Sequence, residues 1–325
     1  MPLFDIDAAR LPDYRPDVAE PADFDEFWAR TLAETRQHDL AVEIVPVDAH
    51  LQTIAAYDLT FSGFGGHRIR GWYLRPAGRD DEALPAVVEY LGYGGGRGMP
   101  HTRITWPAAG YAYVVIDARG QGTAHNNGVG ATPDPVGTGV SAPGTLTRGI
   151  EDPHAHYYRR VYTDAVRAVE AVRALPGVDP ARVAVTGASQ GGAITTAVAG
   201  LIDVAAAMPD VPWLSHIRRG VEMAPAGPFG EVRTYLAGHR DRIDRTFEVL
   251  SYLDGVNHAK RATAPALYSV ALMDPICPPS TVYAAANHYG GSHVDIEVYP
   301  FNEHEGGAEY QRERQLVWLA ERLRP

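Results

Sequence analysis

Residues 181–192 read Ala-Arg-Val-Ala-Val-Thr-Gly-Ala-Ser-Gln-Gly-Gly, and the interpretation of the whole chain starts from them. Residues 182–186 form a short apolar run typical of a buried strand, and the small residues over 192–199 predict a helix. Between them, Gly-Ala-Ser-Gln-Gly fits the pattern G-x-S-x-G, in which a sharp strand-to-helix turn exposes a serine hydroxyl. Ser189 is therefore a candidate nucleophile.

Two glycines, Gly187 and Gly191, frame this serine. A turn this tight brings strand and helix together, and a residue without a Cβ lets the two backbones pass. The first N–H groups of the helix would point to the place where an oxyanion forms. The alternative interpretation is a glycine-rich packing turn that carries an incidental serine.

The composition predicts one large folded unit. The chain has 325 residues, of which 45% are hydrophobic and 21% charged, and α/β domains of this length occur as single units. We expect one domain over residues 1–325, with an N-terminal helical extension over about 1–40 and a helical insertion over about 225–262. The net charge of −11 argues against nucleic acid and anionic membranes as partners.

Three observations bear on location. Cys277 is the only cysteine, so no disulfide can form within the chain, and this fits a reducing compartment. The first residues lack the basic and apolar regions of a secretory signal. No run approaches the ~20 apolar residues of a membrane span. We therefore expect a cytoplasmic protein.

The sequence pattern predicts about eight strands, the later ones alternating with helices. The strands are expected at 57–61, 69–75, 85–91, 111–117, 182–186, 220–224, 265–272 and 294–299. Helices are expected at 23–36, 101–109, 156–175, 279–288 and 308–323, with Asp23 capping the first and Asp152-Pro153 starting the third. The pattern predicts an α/β fold with a mostly parallel eight-stranded sheet, helices on both faces and a small helical insertion.

A serine nucleophile needs a base, and the base needs a group that orients it. In the α/β-hydrolase arrangement these residues follow one another as serine, acid and histidine. Ser189, Asp274 and His304 occur in this order, and each directly follows a predicted strand. We therefore predict a Ser-His-Asp triad.

Other residues fit these roles less well. The competing histidines precede the serine or do not directly follow a strand: His154, His156, His258 and His293. The competing acids lie in the insertion or inside a strand: Asp254 and Asp295. Cys277 has no evident base, and we interpret Glu305 as a surface or supporting carboxylate. No H-E-x-x-H or phosphate-loop motif is present, so neither a metal nor a cofactor is predicted.

The loop after the strand at 85–91 is rich in glycine and contains Tyr93. Hydrolases of this arrangement take one oxyanion donor from the residue after the nucleophile and the other from a loop after an early strand. These positions are Gln190 and the loop at Tyr93. The long segment 122–149, rich in Gly, Pro and Thr, is expected either to form an intersubunit contact or to shape the mouth of the site.

The whole chain resembles the acetyl xylan esterase/cephalosporin-C deacetylase family, carbohydrate esterase family seven. The motifs R-G-Q, G-x-S-Q-G and H-E of that family match residues 119–121, 187–191 and 304–305. Further stretches that match are 23–28, 60–63, 157–161 and 274–280.

The resemblance implies an α/β-hydrolase that removes acetyl groups from small acetylated carbohydrates and cephalosporin C without a metal. It implies Tyr93 and Gln190 as the oxyanion donors, a small acyl pocket, a cytoplasmic location and a ring-shaped hexamer. Candidate walls of the acyl pocket are Tyr93, Trp106 and Trp213. We interpret Arg119 as a tether for loops near the site. A related serine peptidase, a broader carboxylesterase and a non-catalytic binding protein stay open as alternatives.

Overall fold

A nine-stranded sheet runs through the computed structural model, which describes residues 3–123, 128–137 and 143–325. The strands are β1 (Glu43–Val47), β2 (Ile54–Ser62), β3 (Arg68–Pro76), β4 (Leu84–Tyr90), β5 (Ala112–Ile116), β6 (Val178–Ala188), β7 (Ala206–Asp210), β8 (Ala266–Ala271) and β9 (Val294–Tyr299). Their order across the sheet is β1-β2-β3-β5-β4-β6-β7-β8-β9. Strands β1, β2 and β3 pair antiparallel, as β3 does with β5, whereas all pairs from β5 to β9 are parallel.

Ten helices accompany the sheet in the described ranges. They are α1 (Phe24–Arg36), α2 (Thr105–Ala108), α3 (Tyr157–Arg173), α4 (Gln190–Leu201), α5 (Ile217–Met223), α6 (Phe229–Gly238), α7 (Ile243–Ser251), α8 (Gly255–Ala259), α9 (Pro279–Asn287) and α10 (Ala308–Ala320). Short 3₁₀ turns cover Ala8–Arg10, Phe64–Gly66, Pro100–Thr102 and Arg240–Arg242. None of the helices is both long and apolar enough to cross a bilayer.

The two faces of the sheet carry separate apolar cores. On one face, Trp106 of α2 and Trp318 of α10 pack against alternate side chains of the strands. On the other face, the intervening strand residues pack against α1, α3, α4 and most of the later helices. This arrangement confirms the predicted class of fold, since a mostly parallel sheet lies between helices on both faces.

The sheet has nine strands, whereas eight were predicted. Residues 220–224 belong to helix α5, because a short apolar run does not by itself distinguish a strand from a helix. Strand β1 was missed because it is an exposed edge strand that contains Pro46. Strand β7 was missed because its sequence, Ala-Ala-Met-Pro-Asp, has little intrinsic preference for a strand and is held by its two neighbours.

Two predicted helix starts also differ. Asp23 precedes α1, but its carboxylate accepts a hydrogen bond from the Tyr252 hydroxyl at 2.6 Å and caps no N–H group of the helix. Helix α3 begins at Tyr157 instead of Asp152-Pro153, and His156 caps it by accepting the Tyr158 N–H at 3.1 Å. Burial lowers the pKa of His156 to about 3, so its ring stays neutral and can accept that bond.

The predicted N-terminal extension packs against the predicted helical insertion. The Trp28 indole N–H donates to the Tyr252 carbonyl at 3.0 Å, and the Arg261 guanidinium lies 4.3 Å from the centre of the Phe24 ring. Arg261 also pairs with Glu20 at 2.7 Å. These contacts join chain segments more than two hundred residues apart in sequence.

Arg119 is fully buried, and its guanidinium joins three segments. It donates two hydrogen bonds to Asp164 on α3, at 2.6 and 2.7 Å. It also lies 3.5 Å from the Asp134 carboxylate and 3.0 Å from the His67 ring. Its side chain therefore contacts the loop after β2, helix α3 and the segment around Asp134, which is the tethering role interpreted from the sequence.

We expect Arg119→Met to lower the free energy of unfolding by about 3–5 kcal/mol, because it leaves the buried carboxylate of Asp164 without its cation, whereas Asp134 keeps Arg160 at 2.8 Å. Denaturant unfolding followed by circular dichroism measures this loss. The control is Arg36→Met, whose exposed guanidinium pairs with Glu170 and whose loss should cost less than about 1 kcal/mol. Equal unfolding midpoints for wild type and Arg119→Met would contradict the tethering role.

Candidate active site

The turn at Ser189 has a strained backbone. Ser189 adopts φ 58° and ψ −117°, a backbone conformation that residues other than glycine rarely adopt. Its N–H donates to the Asp210 carbonyl at 2.9 Å, and its carbonyl accepts the Trp213 N–H at 3.0 Å. These two bonds to the segment around the end of β7 hold the turn in place. The hydroxyl is thereby presented at the carboxyl end of β6.

The glycines around this turn permit the close approach that the sequence predicted. A Cβ added to Gly191 would lie 2.1 Å from the Tyr90 carbonyl oxygen, and one on Gly187 would lie 2.6 Å from the same atom. A Cβ added to Gly187 would also lie 2.6 Å from the Gly191 carbonyl carbon. Because real Cβ atoms do not approach backbone this closely, β6 can meet helix α4 only through glycine at 187, and α4 can pass the end of β4 only through glycine at 191.

The structure brings together the three predicted triad side chains. The His304 Nε2 lies 2.9 Å from the Ser189 Oγ, and the His304 Nδ1 lies 2.8 Å from the Asp274 Oδ2. Asp274 is fully buried, and its other oxygen accepts the N–H groups of Ile276 at 2.8 Å and Cys277 at 3.0 Å. The imidazole is one quarter exposed, so the serine–histidine pair faces solvent while the carboxylate behind it is shielded.

The competing histidines and acids have structural contacts elsewhere. His258 is buried against aromatic rings, and burial lowers its pKa to about 3. The Asp254 carboxylate accepts three backbone N–H groups at the starts of α5 and α8, those of His216, Ile217 and Val256. Glu305 accepts the Asn302 amide at 2.8 Å and the Glu303 N–H at 3.1 Å. Glu305 therefore braces the loop that carries His304.

One group of described residues has metal-ligand geometry, and it coincides with the triad. Donor atoms of Asp274, Cys277 and His304 lie within 4.8 Å of one another. Burial raises the pKa of the Cys277 thiol, which lies beside Ser189, so burial opposes formation of the thiolate that a metal or a nucleophilic thiol requires. An ion here would also occupy the imidazole that the serine needs as a base.

Buried side-chain amides hold the loops around Ser189, and the sequence analysis did not identify this network. The Gln190 carbonyl oxygen accepts the Tyr158 hydroxyl at 2.7 Å and the Gln121 amide at 2.9 Å, while its own amide donates to the Leu91 carbonyl at 3.1 Å. Gln121 in turn accepts the Gly94 N–H at 2.6 Å. The glutamines of the R-G-Q and G-x-S-Q-G motifs therefore connect the loops after β4, β5 and β6.

The predicted pocket walls are only partly brought together. Tyr93 and Trp213 meet edge to face with ring centres 5.5 Å apart, and the Trp213 backbone N–H donates to the Ser189 carbonyl. Trp106 lies instead in the core on the opposite face of the sheet, edge to face with Tyr111 at 5.6 Å. Trp106 is therefore on the other side of the sheet from Tyr93 and Trp213, and this position does not fit a contact with substrate. An aromatic residue close to a site loop in sequence still points to either face of the sheet, which the sequence pattern did not resolve.

Glu231 also contacts a loop of the site, and the sequence analysis missed it. It lies on α6 within the predicted insertion, and its carboxylate accepts the Tyr93 hydroxyl and, at 2.7 Å, the Leu146 N–H. Burial raises the pKa of Glu231 and raises that of Tyr93 to about 12. No motif marks this glutamate, since a single acid in a helical stretch is ordinarily a solvated surface residue.

The segment 122–149 is described over 122–123, 128–137 and 143–149, and its other residues lie outside the described ranges. Gly128 and Val129 line a cavity of about 610 Å³ together with Gly92, Met99 and Ala188. Since Ala188 directly precedes Ser189, this part of the segment forms a wall beside the nucleophile turn. That position favours the interpretation that the segment shapes the mouth of the site.

Comparisons with known proteins identify the family of this chain. The model of the acetyl xylan esterase (AXE1) family matches residues 1–322. The acetyl esterase Axe7A of Xylanibacter ruminicola is 28% identical, over 95% of this chain and 69% of that protein. The structure of the acetyl xylan esterase from Paenibacillus sp. R4 has a TM-score of 0.92 and 36% identity, over 98% of this chain and 100% of that one. Acetyl xylan esterase 1 from Thermoanaerobacterium sp. JW/SL YS485 has a TM-score of 0.88 and 32% identity, over 97% and 99% of the two chains. The chain therefore belongs to the acetyl xylan esterase family and is a carboxylic ester hydrolase of the α/β-hydrolase fold.

Proposed function

We propose that this esterase uses Ser189, His304 and Asp274 to remove acetyl groups from small acetylated carbohydrates, xylo-oligosaccharides among them, and from cephalosporin C. The observation that carries the proposal is the imidazole of His304, which lies 2.9 Å from a serine hydroxyl and 2.8 Å from a buried carboxylate. Two similar solved structures are described as acetyl xylan esterases, which supports the acetyl group and the xylan-derived alcohol.

The first half of the reaction transfers the acetyl group to the enzyme. His304 Nδ1–H donates to Asp274, so Nε2 accepts the Ser189 proton as Oγ forms a bond to the acetyl carbonyl carbon. The N–H groups of Gln190 and Tyr93 donate to the oxyanion of the tetrahedral intermediate. The intermediate then expels the sugar oxygen, which takes the proton from Nε2 and leaves as an alcohol.

The second half releases acetate. Water enters, loses a proton to His304 Nε2 and attacks the acetyl carbon of the Ser189 ester. The second tetrahedral intermediate uses the same two N–H groups. Its collapse breaks the bond to Oγ, and Nε2 returns the proton to Ser189. Asp274 stays ionised throughout and stabilises the imidazolium that forms twice in each turnover.

We expect Ser189→Ala and His304→Ala to lower kcat on 4-nitrophenyl acetate by about 10⁴- to 10⁶-fold, and Asp274→Asn by about 10⁴-fold, because each removes a member of one unit. Steady-state kinetics on purified variants measures these losses, and thermal melting checks that the variants are folded. Cys277→Ala tests whether activity depends on the adjacent thiol instead of the serine, and it should keep kcat within about tenfold of wild type. A near wild-type rate for Ser189→Ala would contradict the proposed nucleophile.

We also expect the substrate range to centre on acetyl esters. The family resemblance implies a small acyl pocket, with Tyr93 and Trp213, whose rings are in contact, as candidate walls, so the acyl side should accept two carbons and exclude long chains. A matched panel of acetylated xylo-oligosaccharides, cephalosporin C, 4-nitrophenyl acetate and 4-nitrophenyl octanoate should show kcat/KM at least about tenfold higher for acetyl than for octanoyl. Faster turnover of octanoate would favour the alternative of a broader carboxylesterase.

The other alternative is a serine peptidase on the same fold. A peptide anilide in the same panel addresses it, because amide hydrolysis uses the same triad but needs protonation of a leaving amine. We expect the ester to exceed the anilide in kcat/KM by several orders of magnitude. A non-catalytic binding protein is addressed by labelling with a fluorophosphonate, which should modify wild type and leave Ser189→Ala unlabelled.

We further propose that the protein is a hexamer located in the cytoplasm, as the resemblance to carbohydrate esterase family seven implies. Light scattering should give a mass near six times the 35.2 kDa of one chain. A mass of one or two chains at micromolar concentration would contradict the hexamer. Fractionation of the producing cells addresses the location.

A further inference from the structure

The carboxylate of Glu231 lies at the junction of three segments around the site. It extends from α6, half-buried, and each of its oxygens accepts a different donor. One oxygen accepts the Tyr93 hydroxyl, which belongs to the loop after β4. The other accepts the Leu146 N–H at 2.7 Å. A single side chain therefore connects an element of the helical insertion to the loop that follows β4.

The backbone of residues 144–146 is shaped around this carboxylate. Gly144 has φ +121°, and a Cβ there would lie 2.2 Å from the Glu231 carboxyl carbon. The next residue, Thr145, donates its N–H to the Tyr93 hydroxyl at 2.8 Å. The phenol oxygen thus donates to Glu231 and accepts from Thr145, so its position is determined from two sides.

The ring of Tyr93 is held as well as its hydroxyl. It meets Trp213 edge to face at 5.5 Å, and Trp213 meets Phe229 of α6 at the same distance. The backbone N–H of Trp213 donates to the Ser189 carbonyl at 3.0 Å. Because ring and hydroxyl are both fixed, the backbone of Tyr93 has little freedom relative to the nucleophile turn.

We propose that Glu231 is a positioning residue for ester hydrolysis, which acts through the Tyr93 phenol to hold the Tyr93 N–H in place for the oxyanion. This inference rests on the proposed function, in which that N–H stabilises the tetrahedral intermediate. Such an N–H contributes more to the transition state than to the bound substrate. Loss of Glu231 should therefore lower kcat and leave KM nearly unchanged.

The experiment compares Glu231→Gln, Tyr93→Phe and the double variant on 4-nitrophenyl acetate. Glutamine has one acceptor oxygen and a donor amide, so it satisfies only one of the two donors that Glu231 serves. We expect each single variant to lose about 10- to 100-fold in kcat with KM within threefold of wild type. The double variant should lose no more than the more severe single variant, because both changes remove the same contact.

Two controls separate positioning from stability. Glu170→Gln changes another half-buried carboxylate, which accepts hydrogen bonds from Arg36 and Arg167 away from the site, and it should leave kcat unchanged. Tyr93→Phe removes one oxygen atom, so it keeps the test open if Glu231→Gln does not fold. A loss of melting temperature with wild-type kcat in either variant would overturn the inference.

The rate of labelling by a fluorophosphonate provides a readout that does not depend on the substrate. In that reaction Ser189 Oγ bonds to phosphorus, fluoride leaves, and the serine proton passes to His304, with negative charge developing on the phosphoryl oxygen. Glu231→Gln and Tyr93→Phe should each be labelled at least about tenfold more slowly than wild type. Equal labelling rates would overturn the role of Glu231, whereas normal labelling of a wild type that hydrolyses no acetyl ester would instead contradict the proposed function.

Discussion

The strained backbone of Ser189 is the constraint on which the site depends. A non-glycine residue at φ 58° and ψ −117° costs about 1–3 kcal/mol and persists only where its surroundings enforce it. Here the two backbone hydrogen bonds to Asp210 and Trp213, each contributing about 0.5–1.5 kcal/mol, offset that cost. Gly187 removes the clash that would otherwise separate β6 from α4, and Gly191 removes the one between α4 and the end of β4. The rest of the site is arranged around the hydroxyl that this turn presents.

Buried hydrogen bonds then determine how the neighbouring loops lie against that turn. The Gln190 and Gln121 side chains are almost fully buried, so each amide must find partners or lose about 1–3 kcal/mol for an unsatisfied group. They find them in the loops after β4 and β5 and in the tyrosines at the start of α3. A second set of contacts around Arg119 joins α3 to the loop after β2. Loops that would move freely on a surface are thus held to the rigid sheet.

The predictions from sequence agree best with the structure where the local pattern is regular. Ser189, Asp274 and His304 each follow a predicted strand that is a parallel strand in the structure, and such strands end at one edge of the sheet. The predictions failed where a residue's neighbours come from elsewhere in the chain. β7 is a strand only because β6 and β8 flank it, and Trp106 was predicted to contact substrate although its side chain lies on the opposite face of the sheet.

The sequence by itself determined the class of fold, the order of the candidate nucleophile, acid and base, and the glycine positions that the turn requires. These follow from local periodicity and from the limits that a Cβ places on the backbone. Only the tertiary structure decided how His304 reaches Ser189, because β9 and β6 lie three strands apart, about 14 Å at the usual strand spacing. It also decided that Glu231 faces Tyr93, 138 residues earlier in the chain. Contacts of this kind depend on how loops and helices fold back over the sheet, and no local pattern encodes them.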